Sequence, residues 1–297
     1  MKAISIEIPR LNDRPNDFNI LFNHWRTVEN TKNTGITFRF TNCDFLRQNA
    51  VAFIGGLIRL AQHNRNNVNF ALDTLQPRVR TNLEQNGFLY TLGFGGPPWD
   101  GNSIPYREDT VYNHNEFTGY LSERWLGRGW LQISDTLKRY ITQPVIEAYI
   151  NVFDHANSPI GVITCGQHYP NLRELTLTMV DFGVGIPHTV RTHLNQPQLS
   201  SVDTLRWVFQ PGATTKNSSA LARGLGLKLL KSFIKENRGN LEIYSDTAYV
   251  CITRDGENFQ GRSIGFRGTL VQLTLQCDAK YYTLPSEEDY DSGEMWF

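Results

Sequence analysis

Residues 147–157 read EAYINVFDHAN, and the apolar residues of this stretch follow the spacing of a helix. On a helix, positions four apart lie above one another. Glu147, Asn151 and His155 are therefore predicted to form one polar stripe on an otherwise apolar helix. An acid, an amide and an imidazole in such a row need an explanation, and motifs further along the chain suggest one.

Length and charge restrict the classes of protein to which the chain can belong. The 297 residues favour two domains of ordinary size. Lys plus Arg and Asp plus Glu both number 29, so the molecule has no net field that would attract nucleic acid or an anionic membrane. We therefore expect neither nucleic acid nor a membrane as a partner.

The cysteines and the hydropathy pattern indicate a compartment. The four cysteines are scattered, with no CxxC pair and no histidine at metal-ligand spacing, which argues against a disulfide framework or a zinc site. The N-terminus lacks the apolar core of a signal peptide, and no apolar run reaches the roughly 18 residues of a membrane span. These features favour a cytoplasmic protein.

The clearest break in the chain is the Gly- and Pro-rich stretch GFGGPPWDGNS at 93–103. Before it, strand and helix patterns alternate and predict a small α/β domain, and after it they predict a second domain in which a sheet carries helices on one side. The predicted units are a first domain at 1–100, a connection at 101–119, a second domain at 120–280 and an acidic tail at 281–297.

Three glycine-containing motifs follow the first stretch in chain order: DFGVGIP at 181–187, ARGLGLKLL at 222–230 and GTLVQL at 268–273. Asp181 ends an apolar strand pattern and precedes Gly183 and Gly185, so a carboxylate able to accept a hydrogen bond from an exocyclic amine lies at a sharp bend. Gly224 and Gly226 precede a predicted amphipathic helix at 225–237, whose free N–H groups suit a phosphate chain. Either glycine pair alone indicates only a turn.

Together the four motifs resemble the GHKL, or Bergerat-fold, ATP-binding domain that DNA gyrase, Hsp90, MutL and histidine kinases share. The resemblance covers roughly residues 120–278. Residues 147–155 look like the N box of this family, residues 181–185 its first glycine box and residues 224–226 its second. The resemblance implies a fold of the α/β class, an α+β sandwich in which a mixed sheet has helices on one face. It also implies ATP and Mg²⁺ as ligands.

The resemblance also implies roles for single residues. Asn151 would hold Mg²⁺ bridging the phosphates, and Glu147 would orient or deprotonate an attacking water or hydroxyl. Asp181 would read the adenine amino group, with support from Thr269. The further cofactor-binding positions are Gly183, Gly185, Lys216, Arg223, Gly224, Leu225 and Gly226. These roles agree with the chemistry of Mg²⁺, which prefers a few oxygen ligands together with phosphates and waters.

Residues 186–223 would form a mobile lid over ATP. Their stretch FQPGATTKNSSALARG is rich in Gly, Ser, Thr and Asn, as is typical of a loop that orders around a ligand. Lys216 and Arg223 are predicted to contact phosphate there, and the alternative is that both are solvated loop cations. For His155 we expect a capping or packing role rather than a catalytic one.

A second resemblance lies upstream, where residues 36–93 look like a STAS domain, as in anti-sigma-factor antagonists. In those antagonists a Ser or Thr at the start of the first helix accepts phosphate from a GHKL kinase. The matching stretch here is LRQNA, with Gln48 and Asn49 at that position, so the phosphate acceptor is missing. The alternative is an unrelated α/β unit whose periodicity is similar.

These features favour a Mg²⁺-dependent ATPase or protein kinase that acts as a regulatory switch, with the STAS-like module sensing a protein partner such as an effector, toxin or regulator. Phosphotransfer to Ser or Thr of that partner is favoured over histidine kinase activity, because His114 lies in a poorly helical context. A homodimer is compatible with the sequence. A DNA-manipulating enzyme is disfavoured, because little sequence remains for a transducer domain.

The alternative is an ATP-gated interaction protein with little turnover, such as the regulatory half of a toxin–antitoxin or phage-defence pair. Glu147 argues against this alternative, since binding alone needs no general base.

Overall fold

A computed structural model describes residues 3–210, 213, 220–284 and 286–287, and for 220–227 it describes the helix without the side chains. Within this part of the chain, no helix combines the length and the apolar character needed to cross a membrane.

The first part of the chain forms a parallel sheet with the order β1-β2-β3. Its strands are β1 (Ile4–Glu7), β2 (Gly35–Arg39) and β3 (Asn67–Phe70), and its helices are α1 (Pro15–Glu29), α2 (Gln48–His63), α3 (Pro77–Gln85) and α4 (Phe88–Thr91). Helix α1 begins at Pro15, whose fixed φ suits the first helical turn. We call residues 3–92 the N-terminal unit.

The next strands form a five-stranded sheet with the order β4-β5-β6-β8-β7. They are β4 (Ser103–Asp109), β5 (Val162–Tyr169), β6 (Glu174–Asp181), β7 (Asn240–Thr253) and β8 (Gly256–Gln276). Every neighbouring pair among these described strands is antiparallel, so the prediction of a mixed sheet is wrong. The physical reason is that short turns join β5 to β6 and β7 to β8, and only antiparallel strands can be joined in that way.

In the described part of the chain, the helices that accompany this sheet include α5 (His114–Gly119), α6 (Asp135–Asn151), α7 (Gly185–Leu194), α8 (Ser201–Val208) and α9 (Ala220–Asn237). Two π-helical segments, Tyr120–Trp125 and Val152–Ala156, follow α5 and α6. The segment 101–119, expected to be a connection, contains β4 and α5. Where the predicted tail is described, Glu287 accepts a hydrogen bond from the Ser134 hydroxyl at 2.7 Å, just before α6.

Helices cover both faces of the five-stranded sheet. On one face, Leu175, Leu177 and Met179 of β6 form a core with α6 and α9. On the other face, α2 packs against β5 and β6, and α1 packs against β8. The predicted second domain had helices on one face, and its helices α6 and α9 lie on one face, whereas the helices on the other face belong to the N-terminal unit. Helix α2 is buried along almost its whole length and therefore lies between two layers.

Buried polar contacts attach the first turn of α2 to the five-stranded sheet. The Arg47 guanidinium pairs with the Glu174 carboxylate at 2.9 Å. The Tyr169 hydroxyl donates a hydrogen bond to the Gln48 side-chain oxygen at 2.8 Å. Gln48 and Asn49, at the position where the resemblance would place a phosphate acceptor, are 3% and 0% exposed. This helix start is therefore covered by the sheet.

Strands β7 and β8 continue beyond β6 as a two-stranded arm. Strand β6 ends at Asp181, opposite Thr269, whereas β7 and β8 remain paired as far as their turn at 254–255. Helix α1 packs on one side of the arm, where Phe266 is fully buried, and α8 packs on the other, where Val250 is fully buried.

Candidate functional site

Three polar residues lie side by side across the end of the five-stranded sheet. Asp181 is the last residue of β6 and pairs directly with Thr269 of β8. Thr269 in turn pairs with Ser245 of β7. The Ser245 and Thr269 hydroxyl oxygens are 3.2 Å apart. The sheet register therefore brings a carboxyl and two hydroxyls from distant segments into one row.

The Asp181 carboxyl is buried, with 4% of the residue exposed. Its Oδ1 accepts a hydrogen bond from the Gly183 backbone N–H at 2.8 Å. Burial raises the pKa of Asp181 to about 7, because it disfavours the carboxylate, and hydrogen bonds from Gly183 and Thr269 oppose this rise. A buried carboxyl with so displaced a pKa at a strand end is typical of a functional site.

The Ser245 hydroxyl connects the row of strands to helix α7. It donates to the Gly268 carbonyl at 3.0 Å and accepts from the Ile186 N–H at 2.9 Å. Gly185, the first residue of α7, has a φ of 77°, and a Cβ at this position would lie 2.0 Å from the Arg267 carbonyl oxygen. A glycine is therefore required for α7 to begin this close to β8.

The helix end at 147–157 touches the glycine turn that follows β6. Helix α6 ends at Asn151 and continues as the π-helical segment Val152–Ala156. The Val184 N–H donates to the Ala156 carbonyl at 2.7 Å, and a Cβ on Gly183 would lie 2.0 Å from the same carbonyl oxygen. The first two motifs of the sequence are therefore in direct contact. π-helical turns within helices occur frequently at functional sites.

The three residues of the polar stripe lie in different surroundings. Glu147 is half-buried and has an interaction partner. Asn151 is exposed at the end of α6. His155 lies in the π-helical segment, and its Nε2 atom is buried with no hydrogen-bond partner among the described residues.

The protein atoms near the site suit a cation that is held mainly by the phosphates of a bound nucleotide. Among the described residues, no three His, Cys, Asp or Glu side chains are grouped as they would be in a metal site built by the protein alone. Mg²⁺ commonly binds through one or two protein oxygens together with phosphates and waters. The exposed amide of Asn151 supplies a protein oxygen of this kind. An exposed amide of this kind is compatible with Mg²⁺ bound together with a phosphate chain.

The second glycine motif lies within a helix instead of before one. The sequence predicted a helix beginning at 225, whereas α9 begins at Ala220 and includes Arg223, Gly224, Leu225 and Gly226. Alanine, leucine and arginine are strong helix formers, and their run before the glycines accounts for the earlier start. The side chains of these four residues are not described, and Lys216 lies outside the described residues.

The first part of the predicted lid forms two helices that are attached to β7. The Arg191 side chain of α7 donates to the Leu199 carbonyl at 2.8 Å and to the Ser201 hydroxyl at 2.9 Å. Ser201 donates in turn to the Asp246 carboxylate at 2.6 Å. This network links α7, α8 and β7.

Sequence reasoning missed Ser245, which links Thr269 to α7. A signal was present, because Ser245 ends the apolar run of NLEIYS as Asp181 ends that of TLTMVD. Asp181 ends β6, whereas Ser245 lies within β7 next to a register shift at Asp246, and the sheet places the two residues on either side of Thr269.

Comparisons of the sequence with known protein families and with curated proteins found no match. The chemistry of the site is therefore inferred from its own geometry. The buried Asp181 carboxyl can accept a hydrogen bond from an amine, and Asn151 can bind a cation. Glu147, one helical turn before Asn151, can accept a proton.

Proposed function

We propose that this protein binds Mg²⁺-ATP through a GHKL-type (Bergerat) fold formed by roughly residues 120–278, and that it acts as a regulatory ATPase or protein kinase. The observation that carries the proposal is the row of Asp181, Thr269 and Ser245, together with the turn after Asp181, where the Val184 N–H donates to the Ala156 carbonyl. This contact places the buried carboxyl next to the π-helical segment that follows Asn151, and Glu147 lies one helical turn before Asn151.

Asp181 is the proposed base-reading residue. As a carboxylate it accepts a hydrogen bond from the exocyclic amine of adenine, and burial strengthens this bond because water does not compete for the carboxylate. Guanine carries a carbonyl oxygen at the corresponding position, which would face the carboxylate as a second acceptor. We therefore expect ATP to bind more tightly than GTP.

Asn151 and Glu147 are the proposed residues at the phosphates. Asn151 would hold Mg²⁺, which when bound neutralises phosphate charge. Glu147 lies one helical turn earlier, where it orients the attacking hydroxyl or water and takes its proton. Positioning and charge neutralisation are the main requirements of phosphoryl transfer.

The N-terminal unit is the proposed STAS-like module for a protein partner. Its first helical turn after β2 has Gln48 and Asn49 buried against the five-stranded sheet, so the phosphate-acceptor position carries no hydroxyl and faces no solvent. This observation supports an acceptor on a separate protein instead of on the chain itself.

Calorimetry with Mg²⁺-ATP tests the assignment of the site. Asp181→Asn and Asn151→Ala should each weaken ATP binding by about tenfold or more, because a neutral amide accepts more weakly than a carboxylate and the alanine removes the metal ligand. Glu147→Gln is the matched control, because it keeps the shape of the side chain and should keep ATP affinity while losing phosphate release. Full affinity in both of the first two variants would show that nucleotide binds elsewhere.

The turnover measurement separates the two functions. Labelled γ-phosphate recovered as free phosphate or on a partner supports an ATPase or kinase. ATP bound by the wild-type protein without any transfer would instead support the ATP-gated interaction protein.

A further inference from the structure

Phe182 follows Asp181 and precedes Gly183 in the sequence, but its side chain packs away from the candidate site. Successive residues at a strand end point to opposite faces of the sheet, so the neighbour of Asp181 points away from the polar row. The Phe182 ring is 2% exposed and belongs to the core that includes the N-terminal unit. Its centroid lies 5.1 Å from that of Phe53 in α2 and 5.1 Å from that of Phe266 in β8.

Gly56 of α2 is in unusually close contact with this ring. A Cβ at position 56 would lie 2.0 Å from Cε2, 2.5 Å from Cζ and 2.9 Å from Cδ2 of Phe182. Because even a methyl group cannot fit there, a side chain at this position would displace the ring or the helix.

Backbone bonds fix the loop around Phe182 on the side of the site. The Phe182 N–H donates to the Ser158 hydroxyl at 3.3 Å, and the Val184 N–H donates to the Ala156 carbonyl at 2.7 Å. Asp181 accepts from the Gly183 N–H. A displaced ring would therefore shift backbone groups that hold the carboxyl.

We propose that Gly56 and Phe53 of α2 are positioning residues for the nucleotide site, and that the N-terminal unit sets the affinity for ATP through the Phe182 ring. The inference rests on the proposed function of that site. Its consequence is a route of regulation, because a partner that moves the part of α2 formed by Phe53 and Gly56 would move the Phe182 ring and, with it, Asp181.

Adjacent glycines provide a matched pair of variants. A Cβ on Gly55 would also meet an aromatic side chain, 2.0 Å from the Tyr106 hydroxyl, but Tyr106 lies in β4 and not beside Asp181. Gly56→Ala should lower ATP affinity by about fivefold or more, a typical size for coupling between two sites. Gly55→Ala should leave ATP affinity unchanged. Combining Gly56→Ala with Phe182→Leu, which makes room for the methyl group, should restore part of the affinity.

A second measurement needs no nucleotide. The ionisation of the Asp181 carboxyl can be followed by carbon NMR as the pH is varied, and the pH of half-ionisation is called here the Asp181 midpoint. This midpoint should change in Gly56→Ala and should remain unchanged in Gly55→Ala. If the wild-type protein bound no ATP, the proposed function would fail, whereas the movement of this midpoint would still decide whether α2 positions Asp181.

Two results with the alanine variants would overturn the inference. One is a folded Gly56→Ala protein in which neither ATP affinity nor the Asp181 midpoint differs from the wild type. The other is an equal change of ATP affinity and of the Asp181 midpoint in both alanine variants, which would indicate a general destabilisation of the fold. If Gly56→Ala does not fold, Phe53→Leu replaces it and should move the Asp181 midpoint. An unmoved midpoint in that variant would also overturn the inference.

Discussion

Asp181 illustrates how a single buried carboxyl connects the site to the stability of the fold. Only a backbone N–H and Thr269 offset its burial, so the protonated form is favoured up to about pH 7. In the unfolded chain an aspartate ionises near its ordinary pKa of about 4. The folded protein therefore binds more protons than the unfolded chain between these two pH values.

This difference sets the sign of a pH dependence. A raised pKa contributes stability that is complete below the unfolded pKa and is lost as the pH rises through the folded pKa. Relative to Asp181→Asn, the free energy of unfolding of the wild type should fall by about 2 to 3 kcal/mol between pH 5 and pH 8. Urea unfolding of both proteins across this range measures it. Parallel pH profiles would show that Asp181 ionises normally.

Part of the site was predictable residue by residue. The order of an apolar run, an acid and two glycines predicted that Asp181 ends a strand before a sharp bend, and the structure has it there. Ser245 was not predicted, because its place beside Thr269 depends on the register between segments that are far apart in sequence. The packing of Phe182 against Gly56 was equally hidden, since no local pattern links the two positions.

At the scale of elements, Arg191 is one of the residues that attach α7 and α8 to β7. The Arg191 guanidinium serves two acceptors at the same time, Leu199 and Ser201, and lies 3.5 Å from Asp246. A planar fork of donors is suited to this geometry, whereas a lysine offers a single charged point.

Arg191→Ala should lower the free energy of unfolding by about 1 to 2 kcal/mol, because it leaves partly buried acceptors without a donor. Hydrogen exchange should also become faster in α8. Arg191→Lys is the control for charge and should recover only part of the protection. Unchanged exchange in the alanine variant would mean that apolar packing alone holds α8.

The strands of the arm show where local patterns fail. NLEIYSD, AYVCITR and GTLVQLTLQ each have the residue pattern of a separate strand, whereas the first two form the single strand β7 and the third is only the end of β8. The polar run that begins β8 has too few apolar residues to indicate a strand. It is a strand because β7 supplies its hydrogen-bond partners.

At the scale of the whole molecule, one apolar core joins the N-terminal unit to the five-stranded sheet. The all-round apolar character of α2 was visible in AVAFIGGLIRLA and was consistent with burial on both sides. The surface that covers it was not visible, because contacts such as that of Gln48 with Thr178, at 3.3 Å, join residues that are distant in the chain.

A fragment lacking the N-terminal unit tests this shared core. Residues 95–297 alone would expose the rings of Phe182, Tyr244 and Phe266, which are each at most 2% exposed in the full chain. We expect this fragment to bind an apolar dye and to lose dispersed NMR signals, while the full chain unfolds in one cooperative step. A well-folded fragment with full ATP affinity would contradict this expectation.

The arm formed by β7 and β8 has a consequence for the evolution of such a chain. Helix α1 covers one side of the arm and α8 covers the other. The residue types at the buried positions of the arm therefore depend on which of these helices covers them. In a relative without the N-terminal unit, the position of Phe266 should carry a polar residue, whereas that of Val250, beneath α8, should stay apolar. The turn at 254–255 is free of both constraints and should vary in length among relatives.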